Sequence, residues 1–514
     1  MSSREDDRLF DPFMLPQYLQ LNDAIEQFTA DMAKQDPNAF RRGGADLRHV
    51  VERYLFFALF ADRKLYEYFV ACKTGRTLPD EGELSIWSRQ IAPYFRGQCP
   101  RFEHPQNLKS RFLRLFYKLY GHASISTANC GVARPQVLFL VIHLKFVRYL
   151  SPIAERLHVP YAFLVIDDPE MFEALGEQNL PRIHIELTAD SLAMTRTEVS
   201  IFGLKFRPGL FDSWIIRLNA VRRALKQLAC TCVVVPEGNA AIYELVNQSA
   251  RTIDIPTLCV QQGWAPVVHP GFRNMSYTRM CVWGDEFAKL LAPCNPKQRF
   301  VAAGNHVVGC QPQGDVRRRR AVAFFLQNGA HWITEAAWRS MLNFIMWAAQ
   351  TFPDFEIRVR EHPGEPLRDE DVARALMMTN VTLMPPNEFS LSDVLSDCRV
   401  AVAINSTTLL EAAASGVVPL ILDVSGFGPY HPDIAGDGAA VEVTNFVDAR
   451  TELARLVSDD RHCASFAGSL EKVRRGLFRQ HGDQALNAIT AEIKELGGLG
   501  ASRSGDKMES GASA

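Results

Sequence analysis

Charge of one sign is missing from this chain. Its 514 residues carry 56 Lys and Arg against 58 Asp and Glu, a formal net charge of −2, so no general basic surface is offered to nucleic acid. Paired cysteines are missing as well. Eleven are present, only Cys230 and Cys232 lie close together, and no CxxC occurs, so neither a zinc site nor a disulfide framework organises the fold. No window approaches the run of about 18 apolar residues that a spanning helix needs. The opening MSSREDDRLF lacks the apolar core of a secretory signal. No DxD stands at the end of a strand-like run, and Asp167 and Asp168 are adjacent rather than spaced. The expectation is a reduced, cytoplasmic protein holding no metal and no cofactor. What is present is an ordinary globular composition, 47% hydrophobic and 22% charged, with material for more than one core and a length that suggests two domains plus extras.

The most informative stretch is Arg399 to Val424, RVAVAINSTTLLEAAASGVVPLILDV. Val400 to Ile404 reads as a buried parallel strand. Asn405, Ser406, Thr407 and Thr408 are good N-cap types, Leu409 to Ala414 are strong helix formers, and Gly416 sits where a helix stops. Val417 to Leu422 is a second buried strand, so the whole is a βαβ unit. Hydroxyls and backbone N–H groups at a helix N-terminus form a ready anion site. Glu411, one turn in, can meet ribose hydroxyls. The plainer reading is a capped helix and nothing more.

Taken in order, residues 1–134 read as a helical N-terminal extension, with an apolar face along Leu47 to Cys72. Within it, Leu108 to Tyr120 (LKSRFLRLFYKLY) carries an aromatic stripe and a basic stripe. The plain interpretation is a core-facing helix with a solvated basic edge; the sharper one is peripheral attachment to the anionic inner face of the cytoplasmic membrane. From Pro135 strands and helices alternate, which predicts an α/β domain over 135–315 with a mainly parallel sheet. Ligands in such sheets lie beyond the carboxyl ends of the strands, where His143, Asp167, Glu237 and Gln262 stand. Each has a structural alternative: a cap, a turn former or a satisfied polar group. GDVRRRR at 314–320 is a charged break. A second α/β series fills 316–496, and the Gly/Ser-rich tail, 497–514, reads as disordered.

Two α/β domains with polar strand ends suggest sites facing across a cleft. In the second, REHP at 360–363 ends one strand and NSTT at 405–408 ends another. Arg358 and Arg360 alternate with Val359 and point the same way; either could pair with a phosphate. His362 can donate to phosphate oxygens, and Pro363 sets the turn direction.

An HP motif, then Ser-Thr before a helix, then LLEAAASGVVPLI resembles the donor half of GT-B glycosyltransferases. The nearest resemblance is to bacterial enzymes of surface and capsular polysaccharide synthesis: polysialyltransferases, capsule Kdo transferases and CDP-glycerol glycerophosphotransferases. Pro236-Glu237-Gly238 resembles the acidic-acidic-Gly motif of the first group, with Pro in place of the first acid. VQQGW at 260–264, WGD at 283–285 and AAGN at 302–305 resemble the progression of the wider group, with Gln262 in place of a His. The resemblance covers roughly residues 135 to 480 and implies two Rossmann-like domains. It implies that His362, Ser406, Thr407 and Glu411 bind the donor nucleotide; Arg360, Pro363, Asn405 and Thr408, which stand in the same two motifs, are expected to bind it with them. His362 would lie on the donor phosphate and Glu411 on the ribose. Glu237 would be the general base on the acceptor hydroxyl. By their strand-end positions, His143, Asp167 and Gln262 are expected to line the acceptor side. Inverting transfer needs one carboxylate to take the acceptor proton and positive groups on the leaving phosphate, which the helix dipole, His and Arg supply.

The expectation is therefore an inverting glycosyltransferase with a nucleotide-sugar donor, CMP-Kdo or CMP-sialic acid favoured, and a glycan or glycolipid acceptor. Alternatives are a CDP-glycerol-type glycerophosphotransferase, a UDP-sugar transferase or a UDP-GlcNAc 2-epimerase. A different class is a non-catalytic scaffold of polysaccharide assembly.

Overall fold

Long runs of β-branched and aliphatic residues decide where the sheets form. In the computed structural model, which describes residues 15–60, 62–99, 122–129, 134–188, 199–201, 204–206, 212–264, 270–308, 316–326, 335–362, 367, 370–371, 377–404, 406–424 and 432–499, these runs build two sheets. The basic aromatic stretch 108–120, Pro363, Asn405 and the tail beyond 499 lie outside the described residues.

The first sheet has eight strands: β1 (Ala123–Ala128), β2 (Val137–Leu140), β3 (Tyr161–Ile166), β4 (Arg182–Leu187), β5 (Cys232–Pro236), β6 (Thr257–Val260), β7 (Arg279–Val282) and β8 (Phe300–Ala302). Their order is β8-β7-β6-β5-β2-β3-β4-β1, and all pairs are parallel except β1, which adds antiparallel to β4. The second sheet has six, all parallel: β9 (Ala321–Phe325), β10 (Glu356–Arg360), β11 (Val381–Leu383), β12 (Cys398–Ala403), β13 (Val418–Leu422) and β14 (Val441–Val443). Their order is β11-β10-β9-β12-β13-β14. The central strands β2, β5, β9, β12 and β13 are buried at every position, the pattern of a sheet covered by helices on both faces. The α/β class and the paired sheets expected from the sequence are present. In both sheets the strand order reverses once, between β2 and β5 and between β9 and β12. These are the crevices where doubly wound sheets hold ligands.

Helices Leu15–Gln35, Arg48–Leu59, Arg63–Thr74 and Ile86–Ile91 gather around Ile25, Phe28, Leu55, Phe56, Leu65, Tyr68 and Ile91. Asp62 caps the third of them by accepting from the Lys64 and Leu65 N–H groups. Leu47 and Val50 reach Ile216 and Leu245 on the helices flanking the first sheet, so this N-terminal unit is docked by apolar contact. Among the described residues no helix is long and apolar enough to cross a membrane.

The chain crosses between the two sheets twice, and the crossings lie together. The Asn305 N–H donates to the Gln480 carbonyl at 3.0 Å, and the Arg479 N–H to the Trp283 carbonyl at 2.8 Å. The rings of Trp283 and Phe478 stack with centroids 5.5 Å apart. The final helix, Gly482–Leu496, then returns to the first sheet, where Arg279 binds Glu492 and Glu495. Gly304 has a φ of +93°, and a Cβ there would sit far inside contact distance of the Gln480 carbonyl. Backbone cannot step aside as a side-chain tip can. Gly304→Ala is therefore expected to cost about 2–4 kcal/mol, read as a fall of several degrees in melting midpoint. A melt unchanged by the substitution would show that the seam tolerates separation.

Candidate active site

The carboxyl ends of the two sheets meet at one point. Beyond β12, Ser406 begins the helix Thr407–Ala414 and caps it, its Oγ accepting from the Thr408 N–H at 3.2 Å and donating to Thr408 Oγ1 at 3.0 Å. The Thr407 hydroxyl points the other way. It donates to the Trp264 carbonyl at 2.6 Å and accepts from the Trp264 N–H at 3.2 Å. Trp264 closes the QQGW turn beyond β6 of the first sheet. The Thr407 side chain thus serves the junction between the sheets. The Ser406 side chain takes the Thr408 N–H and its carbonyl takes the Leu409 N–H at 3.0 Å, and the positive end of the helix dipole lies behind this turn.

Glu411 lies one turn into the same helix, partly accessible but set deep among surrounding atoms. Burial raises its carboxyl pKa to about 7, and the Arg360 guanidinium acts against that rise. The field of Glu411 also reaches Tyr149 of the first sheet's helix Leu144–Arg156. Arg360 ends β10 and donates to the Phe389 carbonyl at 2.8 Å. Arg358, on the same face of that strand, is engaged elsewhere: by Glu356 at 2.8 Å and by the carbonyls of Asp393 and Val394 at 3.2 and 3.1 Å. His362 stands half-buried two residues beyond Arg360.

On the first sheet, β5 ends in Pro236 and the backbone then turns left-handed at two successive residues, Glu237 (φ +55°) and Gly238 (φ +74°). A non-glycine residue held there is strained, and such strain gathers at functional positions. The Glu237 side chain is 14% exposed. Asn239 donates to its Oε2 at 3.3 Å, and the Lys145 ammonium lies 3.9 Å from its Oε1. Gly263 backs directly on the carboxylate, where an added Cβ would come within 2.9 Å of Oε1. Burial raises the pKa of Glu237, while Lys145 and Asn239 pull it down. The result is an enclosed carboxylate at a sheet's switch point, set against Gly263, the residue before Thr407's partner Trp264.

The three residues expected to line the acceptor side are placed less suggestively. His143 caps the helix Leu144–Arg156, its Nδ1 accepting from the Lys145 N–H at 3.1 Å, and burial with Lys145 and Arg148 depresses its pKa. Asp167, also left-handed at φ +52°, accepts from the Leu187 N–H at 2.9 Å and pairs with Arg217 at 3.3 Å. Gln262 is half-buried. Its neighbour Gln261 carries the structure instead: the side-chain oxygen accepts from the Trp283 N–H at 3.0 Å, and the carbonyl accepts from the Trp283 indole at 2.9 Å and the Tyr149 hydroxyl at 2.7 Å. Sequence reasoning also passed over Lys145 and Tyr149. Their signal was position, since both lie on the helix that follows β2, at the reversal of strand order.

No protein-family model matches the chain, and no curated protein matches it. Solved structures do. A putative UDP-N-acetylglucosamine 2-epimerase from Listeria monocytogenes shares 12% identity and a TM-score of 0.46, over 71% of this chain and 96% of that one. MurG of Acinetobacter baumannii shares 13% identity and a TM-score of 0.43, over 70% and 100%. The glycosyltransferase SnogD of Streptomyces nogalater shares 14% and 0.41, over 71% and 100%.

Proposed function

We propose that the chain is an inverting glycosyltransferase of the GT-B type, moving a sugar from a nucleotide-activated donor to a hydroxyl of a glycan or glycolipid acceptor. The observation that carries this is Glu237: an enclosed carboxylate on a strained turn, at the switch point of one sheet, beside the loop that binds the first turn of helix Thr407–Ala414 on the other. On this reading Glu237 takes the acceptor proton as the new bond forms. The donor's phosphates lie at Ser406, Thr407 and Thr408, with His362 and Arg360 beside them; Pro363 and Asn405 are assigned to the same donor site on their place in the two motifs. Glu411 meets the ribose. Developing charge on the leaving phosphate is met by the helix N-terminus and by the Arg360 and His362 side chains. A CMP-linked donor, Kdo or sialic acid, is favoured on the motif resemblance. With a glycolipid acceptor the enzyme works at the inner face of the cytoplasmic membrane.

Thermal shifts with CMP, CDP, UDP and GDP test the nucleotide. A ligand that binds only the folded state stabilises it by about 2.7 kcal/mol at a hundredfold excess over its dissociation constant. A shift with CMP, lost in His362→Ala, is the expected result. A shift with CDP alone directs the assay to CDP-glycerol, and one with UDP alone to a UDP-sugar transferase or a 2-epimerase. Silence with all four, in a protein that melts cooperatively, removes the nucleotide-sugar reading in favour of a scaffold.

A further inference from the structure

The turn that carries Glu237 is held from below by Tyr277 and Cys259. The Tyr277 hydroxyl, fully enclosed, donates to the Gly238 carbonyl at 3.0 Å. Gly238 lies so close over Cys259 and Tyr277 that an added Cβ would come within 2.6 Å of the Cys259 sulfur and 2.9 Å of the Tyr277 ring. Near Tyr277 lies the pair of Arg53 and Glu244, whose two charges act on the phenol in opposite directions. Arg53 comes from the helix Arg48–Leu59 of the N-terminal unit. Its Nη1 donates to Glu244 Oε2 at 2.7 Å, and both side chains are 0% exposed. Its Nε and Nη2 have no hydrogen-bond partner among the described residues.

Glu244 sits on the helix Ala241–Arg251, which begins just after the Glu237 turn. It also accepts from Gln248 at 2.8 Å, from Ser276, the neighbour of Tyr277, at 2.9 Å, and from Asn247 at 3.2 Å. A second tie runs in parallel. Arg273 reaches Asp23 and Glu26 of the first helix at 3.7 and 3.4 Å, and Gly271, two residues before it, packs directly on Asn239.

A fully buried ion pair is poor evidence of stabilisation, because packed apolar residues commonly do as well or better. What a buried charge can supply is orientation. The Arg53–Glu244 pair fixes the Ser276 hydroxyl, and with it the next residue, Tyr277, whose hydroxyl is aimed at the carbonyl that follows Glu237. We propose that Arg53 is a positioning residue: through Tyr277 and Glu244 it holds the Glu237–Gly238 turn in its left-handed form, which makes the N-terminal helical unit part of the catalytic apparatus. The role assigned to the turn rests on the reading of Glu237 as the general base; the mechanical link does not.

Cys259 provides a native reporter, since its thiol is sealed under Gly238. The full-length protein is treated with N-ethylmaleimide under native conditions and labelling is followed by peptide mass mapping. Cys232, at the far end of β5, and Cys398, in the second sheet, are buried controls. The variants are Tyr277→Phe, which removes only the hydroxyl, and Arg53→Met with Glu244→Leu, which removes both charges without leaving one unpaired. Each is expected to raise the labelling rate of Cys259 by about tenfold through local opening, with Cys232 and Cys398 unchanged. Arg53→Lys with Glu244 intact is expected to recover much of the protection. Cys259 remaining protected in both variants, or all three thiols opening together, would overturn the proposal. With turnover in hand, the same variants lower kcat and shift the acidic limb of the pH–rate profile while the KM for donor holds; an unshifted limb would reduce Arg53 to a packing residue. Should Glu237→Gln leave turnover intact, the base assignment fails while the labelling result still stands or falls by itself.

Discussion

Glu237→Gln is expected to lower turnover on the nucleotide-activated donor by about 10²–10⁴-fold, the share of rate usually carried by a positioned base, while nucleotide-induced thermal shifts stay at the wild-type value. The separation follows from where the groups stand. Glu237 belongs to the first sheet, and the helix start, Arg360 and Glu411 belong to the second. Glutamine keeps the volume and the bond from Asn239 but cannot accept a proton. The pH dependence has a definite sign. Burial, the largest influence, raises the Glu237 pKa, and Lys145 and Asn239 restrain the rise. The base works ionised, so kcat/KM falls as the medium is acidified through that raised value, and the limb lies above the range of a solvent-exposed glutamate. Turnover within threefold of wild type, with unchanged nucleotide binding, would assign the base elsewhere.

Glu411→Gln should separate stability from binding. In the native protein this carboxyl has a pKa of about 7, against an ordinary value of 4.5. Because the folded value is the higher one, the folded state holds the proton more tightly. The favourable contribution is therefore complete below the ordinary value and is lost as pH rises through about 7. At pH 8 the ionised, poorly hydrated carboxylate costs on the order of 1–3 kcal/mol after allowance for its partial access to water. Glutamine removes that cost, so the variant is more resistant to urea than wild type at pH 8 and nearly equal to it at pH 5. In the same variant the nucleotide that stabilises the wild type binds about 10- to 100-fold more weakly, the loss of charged hydrogen bonds to a diol. A residue kept at the expense of stability is the mark of a working site. Urea unfolding at the two pH values and calorimetric titration decide it: equal stability at both, or undiminished binding, would make Glu411 an ordinary buried acid.

The parts of this molecule that could be read from its residues are those dictated by local physics. Val400–Ile404 and Val417–Leu422 are apolar without alternation, and they are central strands β12 and β13. Ser406 looks like a cap and is one. The strand β4, RIHIEL, was passed over because its alternating Arg182, His184 and Glu186 suit an outer strand that meets β1, where no continuous apolar run appears. The common face of Arg358 and Arg360 was legible from their spacing. What each meets, the carbonyls of the 389–396 segment, depends on tertiary placement. So does the choice within Gln261-Gln262: two identical side chains, of which the first is drawn into the Trp283 backbone by the neighbouring strand. Arg53 sits in a helix otherwise readable by its apolar face, and nothing in its surroundings along the chain announces a partner at Glu244, 191 residues away.

The two crossings between the sheets, paired at Asn305 and Gln480 and sealed by the stacked rings of Trp283 and Phe478, behave as one axle. A door hung on two separate straps can twist; one hung on a single pin can only swing. Were the sheets to swing about that pin, the swing would part Thr407 from Trp264. Among the described residues the Thr407 hydroxyl, bonded at once to the N–H and the carbonyl of Trp264, is a latch of that door.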